Sequence, residues 1–312
     1  MRKFIVSDLH GNGEAYDAIM AYLDNISKKE DVSLYINGDL VDRGFDSFKM
    51  LIDVYNRCNG IGNVKIHYLA GNHEWLMYQS LIEIINDKGV NALYNWEDNG
   101  GIFVISMLEE ITKREVNMLK DFLGNLKIYH KFPEKVNGKQ VCLVHAQMPS
   151  IAPDKCTMKL SDQKNTDNNN CVHDPVFKAI WYRHKKGLPF LNYHPELLTI
   201  IGHSPVLKYP GIDILENGNI INIDGACANY AVGDFARDHV PLVEVKNGYL
   251  NFLIFNHKNE IIDGYVYDGS VKKMNEDNLN NNRKLLGKIK INDNTELIKD
   301  FYGLNSGNKV NR

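Results

Sequence analysis

SLYINGDLVDRG, residues 33–44, joins an apolar run that reads as a buried strand to a turn carrying two aspartates and an arginine. The arrangement recurs along the chain: FIVS runs into SDLHG (residues 7–11), KIHYLA into GNHE (71–74) and LLTII into GHSP (202–205). Asp, His, Asn and Arg thus gather where strands stop and loops begin, the usual ligand edge of an open α/β sheet. One such segment is weak evidence, whereas four in order form a pattern.

The segments between them have helical periodicity. Ala15, Ile19, Tyr22, Leu23 and Ile26 share one face, as do Phe48, Leu51, Ile52 and Tyr55, and then Leu76, Met77, Leu81, Ile84 and Ile85. This βαβαβα rhythm predicts a parallel sheet with crossover helices. Residues 90–123 read as mostly helical, broken at Asn99-Gly100-Gly101. The later chain is richer in strands: QVCLVH, LLTIIG, NIINID, PLVEV, YLNFLIF and GYVYD. Strands with helices early and mostly strands late predict two packed sheets flanked by helices. Residues 154–170 read as a polar surface loop, and 275–282 as a second Asn-rich stretch. Gly11-Asn12-Gly13 lacks the third glycine of a dinucleotide fingerprint and predicts a tight turn into the first helix.

Composition narrows the class. A chain of 312 residues, 44% hydrophobic and 24% charged, is ordinary for a soluble globular protein large enough for a sizeable core. A net charge of −3 carries no nucleic-acid signature, and no apolar run reaches membrane-spanning length. Met1-Arg2-Lys3 leads straight into a strand, so no signal peptide is expected. Five cysteines without CxxC spacing fit a reduced, cytoplasmic setting better than a disulfide framework.

The strand-end residues define a chemistry. Asp8, His10, Asp39, Asn72, His145 and His203 offer carboxylate, amide and imidazole donors and no thiolate. That mixture suits two divalent ions, with Mn expected and Fe or Zn as alternatives. Asp39, central among the motifs, is the natural bridging carboxylate. Two ions roughly 3.5–4 Å apart share and activate a bridging water and clamp a phosphoryl group. Arg43 and Arg183 have the guanidinium forks that suit phosphoryl oxygens. His73, beside Asn72, is placed to protonate a leaving oxygen without binding metal, with Asp42 holding its ring. The remaining histidines read as surface or core residues, with His184 the one placed near substrate.

GDLVDRG, GNHE and SDLHG, followed by WEDNGG (96–101), LVHA (143–146), WYR (181–183), GHSP and NIDGA (222–226), resemble the phosphoprotein-phosphatase branch of the metallophosphoesterases, as in bacterial and bacteriophage lambda-type Ser/Thr phosphatases. The resemblance spans residues 2–255. It implies a four-layer α/β/β/α sandwich of two mixed sheets and phosphomonoester hydrolysis by a two-metal-activated hydroxide. It also implies one metal on Asp8, His10 and Asp39, and the other on Asp39, Asn72, His145 and His203. A catalytic domain is therefore expected at 1–267, with the polar insertion at about 154–170 and an Asn/Lys-rich extension at 268–312. The chain departs from the family pattern at Gln147, where glycine is usual, and at Ile223-Asp224-Gly225-Ala226, where IDTG is usual. Both departures are expected near the cleft mouth and bear on substrate choice.

The expected function is a Ser/Thr phosphoprotein phosphatase. A symmetrical dinucleoside tetraphosphatase or nucleotide phosphatase on the same site is the alternative, since either substrate places a phosphoryl group between the same metals. A non-catalytic scaffold is the third reading, and the presence of every proposed ligand and of His73 argues against it.

Overall fold

β1 (Arg2–Val6), β2 (Val32–Asn37) and β3 (Val64–Leu69) run parallel, connected by α1 (Gly13–Ser27) and α2 (Ser47–Cys58). The chain continues through α3 (Asn72–Asn86), α4 (Asn91–Trp96), α5 (Ile102–Leu108), α6 (Lys113–Gly124), β4 (Tyr129–Val136) and β5 (Lys139–Val144). Then come α7 (Pro175–Trp181), β6 (Leu197–Ile201), β7 (Asp213–Leu215), β8 (Ile220–Asn222) and β9 (Val240–Lys246). β10 (Tyr249–Phe255), β11 (Ile261–Tyr267), β12 (Val271–Lys273) and α8 (Glu276–Gly287) complete the order. This computed structural model describes residues 1–149, 158–162, 174–183, 194–227, 239–256, 258 and 260–287. Most of the 154–170 loop, with Cys156 and Cys171, lies outside them, as do His173, His184, His257 and residues 288–312.

The strands form two mixed sheets, in the orders β12-β11-β10-β9-β1-β2-β3 and β4-β5-β6-β8-β7. The period-two alternation of a strand sorts its residues between faces. Ile5, Leu143, Leu198, Ile200, Ile221, Val243, Phe252 and Ile254 meet in a core between the sheets. Phe4, Val6, Leu34 and Ile36 turn the other way, into a core shared with α1 and α2. On the second sheet, Val144, Leu197 and Ile201 share that outer core with Val176, Ala179 and Ile180 of α7. The layers run helix, sheet, sheet, helix. Every residue of β2 is buried, as expected for a parallel strand covered on both faces.

Local chemistry sets the element ends. Asn12 caps α1 by accepting from the backbone N–H of Ala15 at 3.0 Å, so the Gly-Asn-Gly segment is a turn into a helix. The break at Asn99-Gly100-Gly101 is a wide turn over Glu97–Gly101 in which Gly100 takes φ 99°. Three strands carry no clear apolar pattern: β4, β7 and β12, all of them sheet edges. β4 contains Lys131, Pro133 and Lys135, a combination that an edge strand tolerates because one side of its ladder is unpaired. Beyond Tyr267, β12 continues the larger sheet, and α8 packs on α1, with Tyr22 donating to Asn282 Oδ1 at 2.6 Å. In the described part of the polar loop, Leu160 is fully buried and its N–H donates to Leu126 O at 2.9 Å.

Candidate active site

Asp8, Asp39, His203 and Asp224 each stand two residues past the last residue of a strand: Val6, Asn37, Ile201 and Asn222. His145 follows β5 directly, and Asn72 opens α3. Topology therefore converges these side chains on one edge of the sandwich. Among the described residues ten non-glycine positions have positive φ, and six of them are Asp8, His10, Asp39, Asp42, Arg43 and His203. Such backbone costs on the order of 1–3 kcal/mol per residue and persists only where its surroundings over-determine it. Here the two loops are laced together: Asp8 N donates to Gly38 O (3.2 Å), His10 N to Asp39 O (2.9 Å) and Gly11 N to Leu40 O (2.8 Å).

The imidazoles are set for ligation. His10 Nδ1 meets Val41 O at 3.2 Å, His145 Nδ1 meets Asn37 O at 2.7 Å, and His203 Nε2 meets Trp181 O at 3.1 Å. A ring nitrogen facing a carbonyl must carry the proton, so in His10 and His203 the lone pair lies on the other nitrogen, Nε2 and Nδ1 respectively. His145 Nε2 also faces oxygens of Asp39 and Asn72 and so carries a proton as well, which a cation binding at that nitrogen displaces. His203 Nδ1 is buried and has no hydrogen-bond partner. Asp39 Oδ2 lies 3.6 Å from His10 Nε2 and 3.3 Å from His145 Nε2, and Asn72 Oδ1 lies 3.2 Å from His145 Nε2. Two clusters have the spacing to hold an ion, His10–Asp39–His73 and Asp39–His145–His203, with Asp39 in both. Asp8 falls in neither cluster; its carboxylate accepts from His203 N at 3.0 and 3.1 Å and from the Ser7 hydroxyl. A buried imidazole nitrogen without a partner and a carboxylate shared by two clusters fit a pair of cations.

The electrostatics agree. Burial, His73 and Arg43 hold His10 well below its ordinary pKa, and burial with His145 does the same to His203, so both rings are neutral, the ligating form. Burial opposes the charge on Asp39, yet His145 and His73 outweigh it and keep that carboxyl well below the usual range. Burial would lower His145, but Asp39 and Asp8 push it up to about 10, so a cation binding there displaces a proton. Burial and Asp224 push Asp8 well up, while burial raises Asp224 to about 6.

His73 is fully buried, with Nδ1 2.6 Å from Asp42 Oδ2, and Trp96 Nε1 donates to both oxygens of Asp42 at 2.9 Å. Burial lowers the His73 pKa, but Asp39 and Asp42 outweigh it, and the net direction is upward. Arg43 donates to His10 Nε2 (3.2 Å) and His73 Nε2 (3.0 Å). Arg183, exposed, donates to His203 O at 2.8 Å. The ten metal-ligand and catalytic candidates therefore lie on one edge, with Arg183 at its rim, while His184 falls outside the described residues.

Further supporting residues emerge only in three dimensions. Glu74, fully buried, accepts from Asp39 N (2.8 Å), Leu40 N (3.1 Å), Gly71 N (2.8 Å) and the Tyr68 hydroxyl, and so fixes the loop that presents Asp39. Gly100 O accepts from Arg43 N at 2.9 Å, and a Cβ on Gly100 would meet Arg43 Cγ at 2.9 Å. The available signal was an acid closing GNHE and a Trp followed by Gly-Gly.

A family model described as Calcineurin-like phosphoesterase matches residues 1–222. No curated protein matches the chain. Among solved structures, a protein serine/threonine phosphatase from Saccharomyces cerevisiae superposes with TM-score 0.51 at 16% identity, over 80% of this chain and 73% of that one. A cold-active protein tyrosine phosphatase gives TM-score 0.51 at 15% identity, over 89% of this chain and 80% of that one. Likenesses at this identity show a common fold.

Proposed function

Because the chain belongs to the calcineurin-like phosphoesterase family and is a metal-dependent phosphoesterase, we propose that it hydrolyses phosphoserine and phosphothreonine in proteins, from a cytoplasmic location. The observation that carries the substrate class is the His73–Asp42–Trp96 relay. A seryl or threonyl alkoxide is a poor leaving group and needs a proton, whereas the phosphate leaving group of a dinucleoside polyphosphate needs much less help. A buried imidazole with its pKa raised by two carboxylates supports the first chemistry.

Two divalent cations, proposed to be manganese, on Asp8, His10 and Asp39 and on Asp39, Asn72, His145 and His203 would supply Lewis acidity toward the phosphoryl oxygens and the attacking water. Arg43 and Arg183 bind the remaining phosphoryl oxygens. Arg43 has a second consequence: while its fork donates to His73 Nε2, that nitrogen accepts and cannot deliver a proton. Turning the guanidinium onto a phosphoryl group frees Nε2 to take up a proton from solvent water, and that proton then passes to the leaving oxygen. Asp42, fixed by Trp96, keeps the ring oriented and stabilises its charged form.

The test is His73→Asn, assayed on an alkyl phosphate and on p-nitrophenyl phosphate. A loss of about 10²–10⁴ in kcat on the alkyl ester, shrinking on the aryl ester, supports the reading. Equal losses on both, or turnover of diadenosine tetraphosphate without turnover of phosphopeptides, overturns it.

A further inference from the structure

Phe45 stands two residues beyond Arg43 on the same loop and is 79% exposed. Its ring packs on that of Phe103, with centroids 4.2 Å apart and planes at 47°, and Ile102 beside it is 46% exposed. Asp46 follows Phe45 directly, and Glu97 and Asp98 open the turn that leads into Ile102 and Phe103. An exposed apolar cluster with polar neighbours, next to a catalytic centre, contributes little to folding and marks a place where something binds.

The backbone that carries the pair is tightly held. Gly44 lies so close to Gly11 that a Cβ there would collide with the Gly11 backbone. Ser47 Oγ donates to Gly44 O at 2.7 Å, and Asp46 N donates to Gly11 O at 3.3 Å. Arg43 N donates to Gly100 O at 2.9 Å, which ties the start of α5, and Phe103 with it, to the same loop. Both rings are therefore presented by ordered backbone, so a ligand gains their contact with little ordering cost.

We propose that Phe45 and Phe103, with Ile102 at the edge, form a subsite for an apolar side chain flanking the phosphorylated residue of a protein substrate. The proposal rests on the phosphoprotein reading. Two residues of chain span at most about 7 Å, and an extended peptide advances about 3.5 Å per residue. A neighbour one or two positions from the phosphoserine therefore reaches the pair while the phosphoryl group meets Arg43.

The experiment compares wild type, Phe45→Ala and Phe103→Ala on phosphoserine peptides that differ only in carrying Leu or Ser beside the phosphoserine, with N-acetyl phosphoserine amide as the unflanked reference. Wild type should favour the Leu peptide by about tenfold in kcat/KM, mainly through KM. Either variant should abolish that preference and leave the unflanked reference within about twofold. A wild type that cleaves both peptides equally, or variants that lower every substrate alike, would overturn the subsite. So would a change of oligomeric state in Phe45→Ala with peptide selectivity intact. An effect confined to diadenosine tetraphosphate would assign the rings to a nucleobase instead. Failure of wild type to cleave any phosphopeptide would bring down the phosphoprotein reading first and the subsite with it.

Discussion

Glu74→Gln removes one charge and changes one oxygen to NH2, yet the structure predicts a large effect. The carboxylate uses both oxygens as acceptors: one takes the N–H groups of Asp39 and Gly71, the other takes Leu40 N–H and the Tyr68 hydroxyl. A glutamine has a single oxygen, so its NH2 must face one of these donor pairs. The less costly orientation keeps Asp39 and Gly71 bonded and turns the NH2 toward Tyr68, whose hydroxyl can rotate to accept. Leu40 N–H is then buried against another donor. Losing one hydrogen bond to a charged group costs about 1.5–3 kcal/mol, and an unsatisfied buried donor adds about 1–3 kcal/mol, so a loss of roughly 2.5–6 kcal/mol is expected. Urea unfolding in EDTA measures this free of metal linkage, and a metal titration should show weaker binding because Asp39 is presented by the same loop. Stability within about 0.5 kcal/mol of wild type with unchanged metal affinity would refute the reasoning.

Trp96→Phe removes the indole donor from both oxygens of Asp42 and should lower kcat about tenfold or more on alkyl phosphates, with a smaller loss on p-nitrophenyl phosphate; equal losses would separate Trp96 from proton delivery. Gly100→Ala forces a side chain into φ 99° against Arg43 and should cost about 1–3 kcal/mol by urea unfolding while also reducing kcat/KM; full activity with normal stability would contradict that geometry. His67 stacks on Tyr35 with centroids 4.5 Å apart and His130 packs against the same ring, tilted, at 4.6 Å, and burial, aided by nearby positive charge, lowers each to about 4. Both rings are neutral when folded but take up protons below about 6.5 when unfolded, so stability is lost as pH falls from about 6.5 toward 4. A His67→Phe/His130→Phe variant should show a shallower loss over that window, and parallel stability curves would show that these rings do not titrate on unfolding.

The interior strands were legible because covered parallel strands must be apolar throughout, as VSLYIN is. The site was legible for a related reason: Asp8, Asp39 and His203 sit at a fixed offset beyond such strands, so locating the strand locates the residue. The edges were not. In β4, Lys131, Pro133 and Lys135 obey the solvent side rather than the core, and β7 and β12 are three residues each. Glu74 and Trp96 were visible as letters in GNHE and WEDNGG, but not their work. What Glu74 holds, the N–H groups of Asp39 and Leu40, lies 35 and 34 positions away in sequence, a relation that no local pattern contains. Phe45 was equally silent, since nothing in its local sequence shows that its ring is 79% exposed.

The account centres on a pair of cations sharing Asp39, and metal content measured together with activity tests it most directly. Purified protein should bind two divalent ions per chain by elemental analysis, lose phosphomonoesterase activity in EDTA and regain it with manganese, while Asp39→Asn should lose both ions together. Full activity with no bound metal, or an Asp39→Asn protein that keeps two ions, would contradict it.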